Sequence, residues 1–286
     1  AISGTLAMLI PPSVALIRYG FIADLSIGRL LIAGILPGVL VAITIAATVM
    51  LLAKLDPRNA GPGRRYSLRE KLESLKVAGP VLLLFLMVTG IIYGGIATPT
   101  EASGLGAFGA LLLAASRGKV TWASLKQAVL RATGSTCMIF LIILGAKLFG
   151  YFFTLTQVTP TLVSLLADSG LSPYVILLII IAGYILLGCF LDQLAILIIT
   201  VPVVLPVILQ LGFDPIWFGV IVVVVAEVGL LTPPLGINTF VVAKYTGQPL
   251  GVVFAGILPH ILAHLVAIAL LILFPAIVLW LPSTMN

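Results

Sequence analysis

The sequence predicts an all-α, polytopic membrane fold with inverted repeats, broken helices and a re-entrant hairpin, and three observations carry that prediction. Of 286 residues, 61% are hydrophobic and 8% charged, with a mean hydropathy of +1.29. Water-soluble domains of this length are not composed this way. The apolar runs are continuous rather than alternating, which excludes a β-barrel. Two proline pairs, Pro11-Pro12 and Pro233-Pro234, fall inside those runs. Each proline lacks an N–H and clashes with the carbonyl one turn back, and the residue before it is biased away from helical angles. A membrane helix therefore breaks at each pair. The carbonyls so freed cannot face lipid, and broken helices near the midplane are a recurring way to build ion and substrate sites in secondary transporters.

The formal charge of +6 does not point to nucleic acid, because most basic side chains sit in two loops and report orientation in the membrane. Cys137 and Cys189 both lie in apolar runs and imply neither a disulfide framework nor a metal site. The chain opens on Ala1 inside an apolar segment, without a signal-peptide pattern. The expectation is an N-terminally truncated chain.

Residues 1–53 form a broken helix followed by a span, with Ser3-Gly4-Thr5 leading into Pro11-Pro12-Ser13 and with Pro37 inside the span. Residues 54–76 are a polar loop with seven basic and three acidic residues, within which Leu68 to Leu75 reads as a short surface helix. Residues 77–131 supply scaffold helices: a span over 77–97, an interruption at Thr98-Pro99-Thr100-Glu101, and a return over Gly104 to Ala115. Arg117 to Arg131 carries four basic residues and no acid. Its helically spaced Trp122, Leu125, Val129 and Leu130 predict a separate amphipathic helix in the interface.

Residues 132–286 form the second repeat. A scaffold span over 134–156 carries Lys147 near mid-depth, and Thr161 to Ala167 reads as a short helix. Residues 173–211 form two apolar arms around Gly188-Cys189-Phe190-Leu191-Asp192-Gln193. A carboxylate and an amide between apolar arms predict a hairpin whose tip stops inside the bilayer; two full crossings joined at the surface give the same parity. The broken helix spans 216–245 and the last span 251–281. With 54–76 and 117–131 in the cytoplasm, twelve basic residues fall inside, and Arg18 and Arg29 fall outside.

The proline pairs lie 222 positions apart, and so do Ala33-Gly34-Ile35-Leu36-Pro37 and Ala255-Gly256-Ile257-Leu258-Pro259. In this topology the first copy runs outward then inward and the second the reverse, an inverted repeat that places the two breaks near each other at the midplane.

Four stretches carry a resemblance over the whole chain: Ser3-Gly4-Thr5 with Ile10-Pro11-Pro12-Ser13 and Tyr19-Gly20; Gly95-Ile96-Ala97-Thr98-Pro99-Thr100-Glu101-Ala102; Leu191-Asp192 before an apolar arm; and Thr232-Pro233-Pro234-Leu235-Gly236-Ile237-Asn238. They resemble the large membrane subunit, of DctM type, of the tripartite ATP-independent periplasmic (TRAP) transporters. The resemblance implies an elevator-type transporter in the bacterial inner membrane. It implies import of a small organic anion, often a C4-dicarboxylate or sialic acid, driven by a sodium gradient. The partners it implies are a periplasmic substrate-binding protein and a small four-helix membrane subunit. It also implies a further N-terminal third with a first hairpin.

Sodium takes oxygen ligands, by analogy with other hard cations. The second break offers Gly229, Thr232, Gly236 and Asn238; the hairpin tip offers Gly188 and Asp192; the first break offers Ser3, Gly4, Thr5 and Ser13. N-capping of the second arm also accounts for Asp192, and local backbone capping for Thr232 and Asn238. Thr98, Thr100 and Glu101 read either as a plain capped turn or as substrate or gating residues. Lys147 snorkels, pairs with an acid such as Asp192 or Glu227, or meets an anionic substrate, pairing being the most economical of the three. His260 and His264 stand one turn apart, and a polar contact to a neighbouring helix accounts for them better than a metal. No phosphate-binding Gly-x-x-x-x-Gly-Lys-Ser/Thr motif occurs, so the energy comes from an ion gradient or from a partner; the resemblance implies sodium as the coupling ion, and no other metal or cofactor is expected. The rival readings are a symporter of divalent anions working without a binding protein and an intramembrane metalloenzyme.

Overall fold

The computed structural model describes residues 4, 6–55, 67–118, 120–158, 160–161, 164–165, 170–233 and 236–285, and among these it contains helices and no strands. Twelve α-helices organise it: α1 Val14–Ala23, α2 Ile27–Ala33, α3 Ile35–Leu55, α4 Leu68–Tyr93, α5 Pro99–Ser116, α6 Trp122–Leu155, α7 Pro173–Gly188, α8 Gln193–Gln210, α9 Pro215–Leu231, α10 Ile237–Thr246, α11 Leu250–Leu273 and α12 Ala276–Ser283. They fall into two compact units, one of residues 1–48 with 139–284, the other of residues 49–138 with 285–286.

The larger unit is built around α9. Every residue from Ile216 to Leu231 is buried, as expected of a helix that is apolar all round. Asp214 starts it, its carboxylate accepting from the N–H groups of Ile216 (2.7 Å) and Trp217 (3.1 Å), with Pro215 at the first turn where its missing N–H costs nothing. Two buried polar contacts fix the neighbours of α9. The Trp217 indole donates to the Leu271 carbonyl on α11 (2.9 Å). The Tyr19 hydroxyl on α1 donates to the Pro215 carbonyl (2.8 Å), while the Tyr19 ring lies flat on Gly219, where a Cβ would fall 2.2 Å from a ring carbon.

Helices α7 and α8 form the two arms of the predicted hairpin. At ~1.5 Å per residue they are about 24 and 27 Å long; α8 is long and apolar enough to cross a membrane, and α7 is a shorter apolar helix. Thr200 on α8 ties them together: its hydroxyl donates to the Ile196 carbonyl (2.7 Å) and is hydrogen-bonded to the Tyr184 hydroxyl on α7 (2.6 Å).

In the smaller unit α4 packs against α5. Glycines allow the close approach: a Cβ on Gly109 would meet Leu84 at 2.6 Å, and one on Gly106 would meet Val88 at 2.9 Å. Reciprocal capping boxes open both helices, Ser67 with Glu70 and Thr98 with Glu101.

Several boundaries differ from those expected. The surface helix over Leu68 to Leu75 and the span over 77–97 are one helix, α4, with Pro80 inside. The interfacial helix ending at Arg131 and the span over 134–156 are also one helix, α6, about 51 Å long. Nothing between Arg131 and residue 134 breaks a helix: there is no proline, and Gly134 costs only about 1 kcal/mol relative to alanine. The division between units accordingly falls within α6, between 138 and 139, rather than at residue 131. The last span stops at Leu273 before Pro275, and α12 continues it. Of the short helix expected over Thr161 to Ala167, residues 161, 164 and 165 are helical and the others lie outside the described residues.

The 222-residue offset holds for the elements. Shifted by it, α1 covers 236–245 against α10 at Ile237–Thr246, and α2 starts one residue before α11. The copies diverge at one point: the helix is interrupted at Gly34 but runs through Gly256. At Gly34 a Cβ would stand 2.5 Å from the Leu9 carbonyl, whereas nothing lies within 4 Å of one at Gly256. The first break meets its own repeat's span at Gly34, and the second meets its span through Phe254 rather than at Gly256.

Candidate ion and substrate site

Both predicted breaks are present. Ahead of α1 the chain makes one 3-10 turn, Leu6–Met8, and is then non-helical to Ser13. Between α9 and α10 it is non-helical from Thr232 to Gly236, with Pro234 and Leu235 outside the described residues. The two ends of the second break are held differently. Thr232 turns back on α9, its N–H reaching the carbonyls of Val228 (3.1 Å) and Gly229 (3.0 Å), and its hydroxyl donating to Val228 (2.7 Å). Gly236 enters α10 in the left-handed region, with φ 47°, a conformation glycine adopts without a Cβ clash. The Phe254 ring fills the space beside it: a Cβ there would lie 2.7 Å from a ring carbon. The fully buried Thr239 spans the gap, its N–H donating to the Gly236 carbonyl (2.7 Å) and its hydroxyl to the Leu231 carbonyl (3.4 Å).

The hairpin tip lies against this break. Gly188, the last residue of α7, meets Gly229, two residues before the end of α9, backbone to backbone. A Cβ on Gly188 would sit 2.8 Å from the Gly229 Cα, and one on Gly229 would sit 2.4 Å from the Gly188 Cα. The two helix C-termini thus end beside each other. Most of their last carbonyls are already engaged, Ile185, Leu186 and Leu187 by the N–H groups of Cys189, Phe190 and Leu191, Val228 and Gly229 by Thr232, and Leu231 by the Thr239 hydroxyl, but each C-terminus carries about half a negative charge, which suits a cation.

Beyond the glycine contact, Asp192 caps α8, accepting from the Ala195 N–H (3.3 Å), and is exposed. Beside it Gln193 is 9% exposed, and its amide nitrogen has no hydrogen-bond partner among the described residues. Sequence reasoning placed Gln193 at the tip without singling it out, and it also passed over Thr239; burial, which decides both, leaves no mark on a single residue in the sequence. Asn238 is half-buried, and its amide makes no hydrogen bond to a described residue.

The other candidates are held locally. Ser13 is fully buried and caps α1: its hydroxyl accepts from the Leu16 N–H (3.1 Å) and donates to the Met8 carbonyl. Gly4 is exposed, and nothing lies within 4 Å of the position its Cβ would take; Ser3 and Thr5 lie outside the described residues. The first break packs on Gly34 and Gly38. Thr98, Thr100 and Glu101 form the capped turn. The Glu101 carboxylate accepts from the Thr98 N–H and hydroxyl, both at 2.8 Å, and these bonds hold it below the usual carboxylate range. The Thr100 carbonyl accepts from Ser103 (2.7 Å).

Lys147 makes no ion pair with a described residue, so the expected pairing with Asp192 or Glu227 does not form. It lines an open groove of about 240 Å³ with Phe21, Ile143, Tyr151, Thr154 and Pro202. Glu227 and His264 are fully buried. The His264 Nδ1 lies 3.2 Å from the His260 carbonyl, and no cluster of three metal-ligating side chains occurs among the described residues.

Broken apolar helices, a two-armed hairpin and a junction of two helix C-termini define a polytopic membrane protein of secondary-transporter type. Residues 1–277 match the family described as "Tripartite ATP-independent periplasmic transporter, DctM component", and the chain belongs to that family, one of transporters rather than enzymes. It is 36% identical to the C4-dicarboxylate TRAP transporter large permease protein DctM of Pseudomonas aeruginosa, over 98% of this chain and 66% of the relative. It is 32% identical to the sialic acid TRAP transporter large permease protein SiaM of Vibrio cholerae, over 99% and 66%. Identity is also 32% to the isethionate TRAP transporter permease protein DctMQ of Oleidesulfovibrio alaskensis, over 97% and 44%. The chain spans about two thirds of the length of the first two relatives and less than half of the third.

Proposed function

We propose that this chain is the major part of the large permease subunit of a TRAP-type secondary transporter in a bacterial inner membrane. It imports a small organic anion, driven by a sodium gradient. A periplasmic binding protein delivers the anion, and a small four-helix membrane subunit completes the permease. The observation that carries this reading is the Gly188–Gly229 contact, which sets the carbonyl ends of two helices side by side at a break in a buried helix. Sodium takes oxygen ligands, and the candidates this reading assigns to it are main-chain carbonyls at the two helix ends, the Thr232 hydroxyl, the Asn238 amide and, from the tip, Asp192. The relatives' printed substrates, a C4-dicarboxylate, sialic acid and isethionate, are all acids, which supports an anionic cargo. The unpartnered Gln193 amide suits an acid oxygen.

The test is uptake by the full-length protein with its partners in proteoliposomes. Uptake is expected to need both an inward sodium gradient and the binding protein. Uptake that persists when potassium or choline replaces sodium would overturn the coupling; uptake indifferent to the binding protein would favour a stand-alone symporter.

A further inference from the structure

The Lys147 groove is separate from the hairpin-tip junction, and the family site does not account for it. Lys147 is the single charged residue between Arg131 and Asp168. Tyr151 follows it by one helical turn and Thr154 by two, so the three stand on one face of α6. That face, on which Lys147, Tyr151 and Thr154 are all exposed, lines an open groove of about 240 Å³ with Phe21 and Ile22 at the end of α1 and Pro202 on α8. At ~30 Å³ per water this volume equals about eight waters. No acid lines it, and the ammonium has no ion pair there.

Depth follows from the charge pattern. Lys126 and Arg131 place the start of α6 at the cytoplasmic side. Lys147 lies 16 residues beyond Arg131, about 24 Å along a helix crossing a ~30 Å core. The cation therefore sits nearer the outer face, with the two hydroxyls leading out towards it. The Thr154 hydroxyl donates to the Gly150 carbonyl (2.9 Å) and only edges the groove; the Lys147 cation and the Tyr151 hydroxyl, facing it without a counter-charge, select an anion.

We infer that Lys147 and Tyr151, edged by Thr154, form an outer seat for a small carboxylate or sulfonate, walled on one side by the hairpin arm α8. The seat rests on the orientation and anionic cargo proposed above. It is occupied from outside, before the anion reaches the hairpin tip.

The test uses the full-length protein in vesicles with Thr154→Cys in a C137S/C189A background. The thiol is modified with a sulfonate-bearing and with a trimethylammonium-bearing methanethiosulfonate reagent added from outside. The sulfonate reagent is expected to be favoured, with the rate ratio falling about tenfold in K147Q and kept in K147R. Succinate slows the sulfonate reaction and choline does not. An unchanged ratio in K147Q, or no protection by succinate, overturns the seat. A ratio present in phosphatidylcholine vesicles but abolished by phosphatidylglycerol assigns the seat to a lipid phosphate and overturns the solute reading. Sodium-driven uptake is measured in parallel on the parent full-length protein, with Lys147 and Thr154 intact. Anion preference without such uptake removes the transport reading alone; uptake without anion preference removes the seat alone.

Discussion

Gly229→Ala tests the junction between tip and break. The new methyl would stand 2.4 Å from the Gly188 Cα, 2.6 Å from its carbonyl carbon and 3.1 Å from its oxygen. Carbon atoms rest at about 3.5 Å, so α7 and α9 must part by roughly 1.1 Å. The atoms in the way are backbone, so no rotamer change relieves the contact. Overpacking of this kind costs about 1–3 kcal/mol, enough to lower the melting temperature in detergent by several degrees. The displacement also separates the two sets of terminal carbonyls, so the sodium concentration for half-maximal uptake rises. Gly183→Ala is the control: it lies on the same arm with nothing within 4 Å of its Cβ position, and alanine there favours the helix by up to about 1 kcal/mol. Thermal unfolding and sodium-titrated uptake are measured on both. If Gly229→Ala melts and transports like Gly183→Ala, the helix ends do not form the ion site.

Asp192→Asn keeps the N-cap, since asparagine caps as well as aspartate, but removes the charge. It is expected to leave the melting temperature within a degree or so of the parent while weakening sodium dependence; a large loss of stability instead would make Asp192 structural. Tyr19→Phe removes the hydroxyl that ties α1 to the start of α9 and is expected to cost about 1 kcal/mol, read from thermal unfolding. Thr98→Ala removes one half of a capping box and is expected to speed amide exchange over residues 99–103 while leaving α9 unaffected. The same box gives a pH dependence. The Glu101 carboxylate is held below its unfolded value, so its contribution is full above the ordinary carboxylate range and is lost as pH falls through the folded value. Protection against hydrogen exchange at residues 99–103, corrected for the intrinsic pH dependence of exchange, therefore falls on acidification, and Glu101→Gln abolishes that response.

Much of the fold is legible because its signals are local. The proline pairs at 11–12 and 233–234 lie in breaks because proline cannot continue the backbone ladder in any surroundings. Asp192, Asp214, Ser13 and Thr98 begin helices because their side chains bond to N–H groups two or three residues on. The 222-residue offset predicts both bounds of α10 from those of α1, and the start of α11 from that of α2, to within one residue. What misled was also local: Pro80 bends no boundary into α4, and the basic, amphipathic stretch before Arg131 joins the apolar stretch after it. Charge pattern marks where a helix leaves the lipid, not where it ends.

The sequence alone determined the lipid-embedded class, the sites of the two breaks, the capped helix starts and the family. The tertiary structure alone decided that Gly188 touches Gly229, that Gln193 is buried while Asp192 stays exposed, and that Lys147 faces a groove instead of an acid. Residues 41 positions apart in the chain meet only through the packing of α7 on α9, and burial belongs to that packing and not to any residue type.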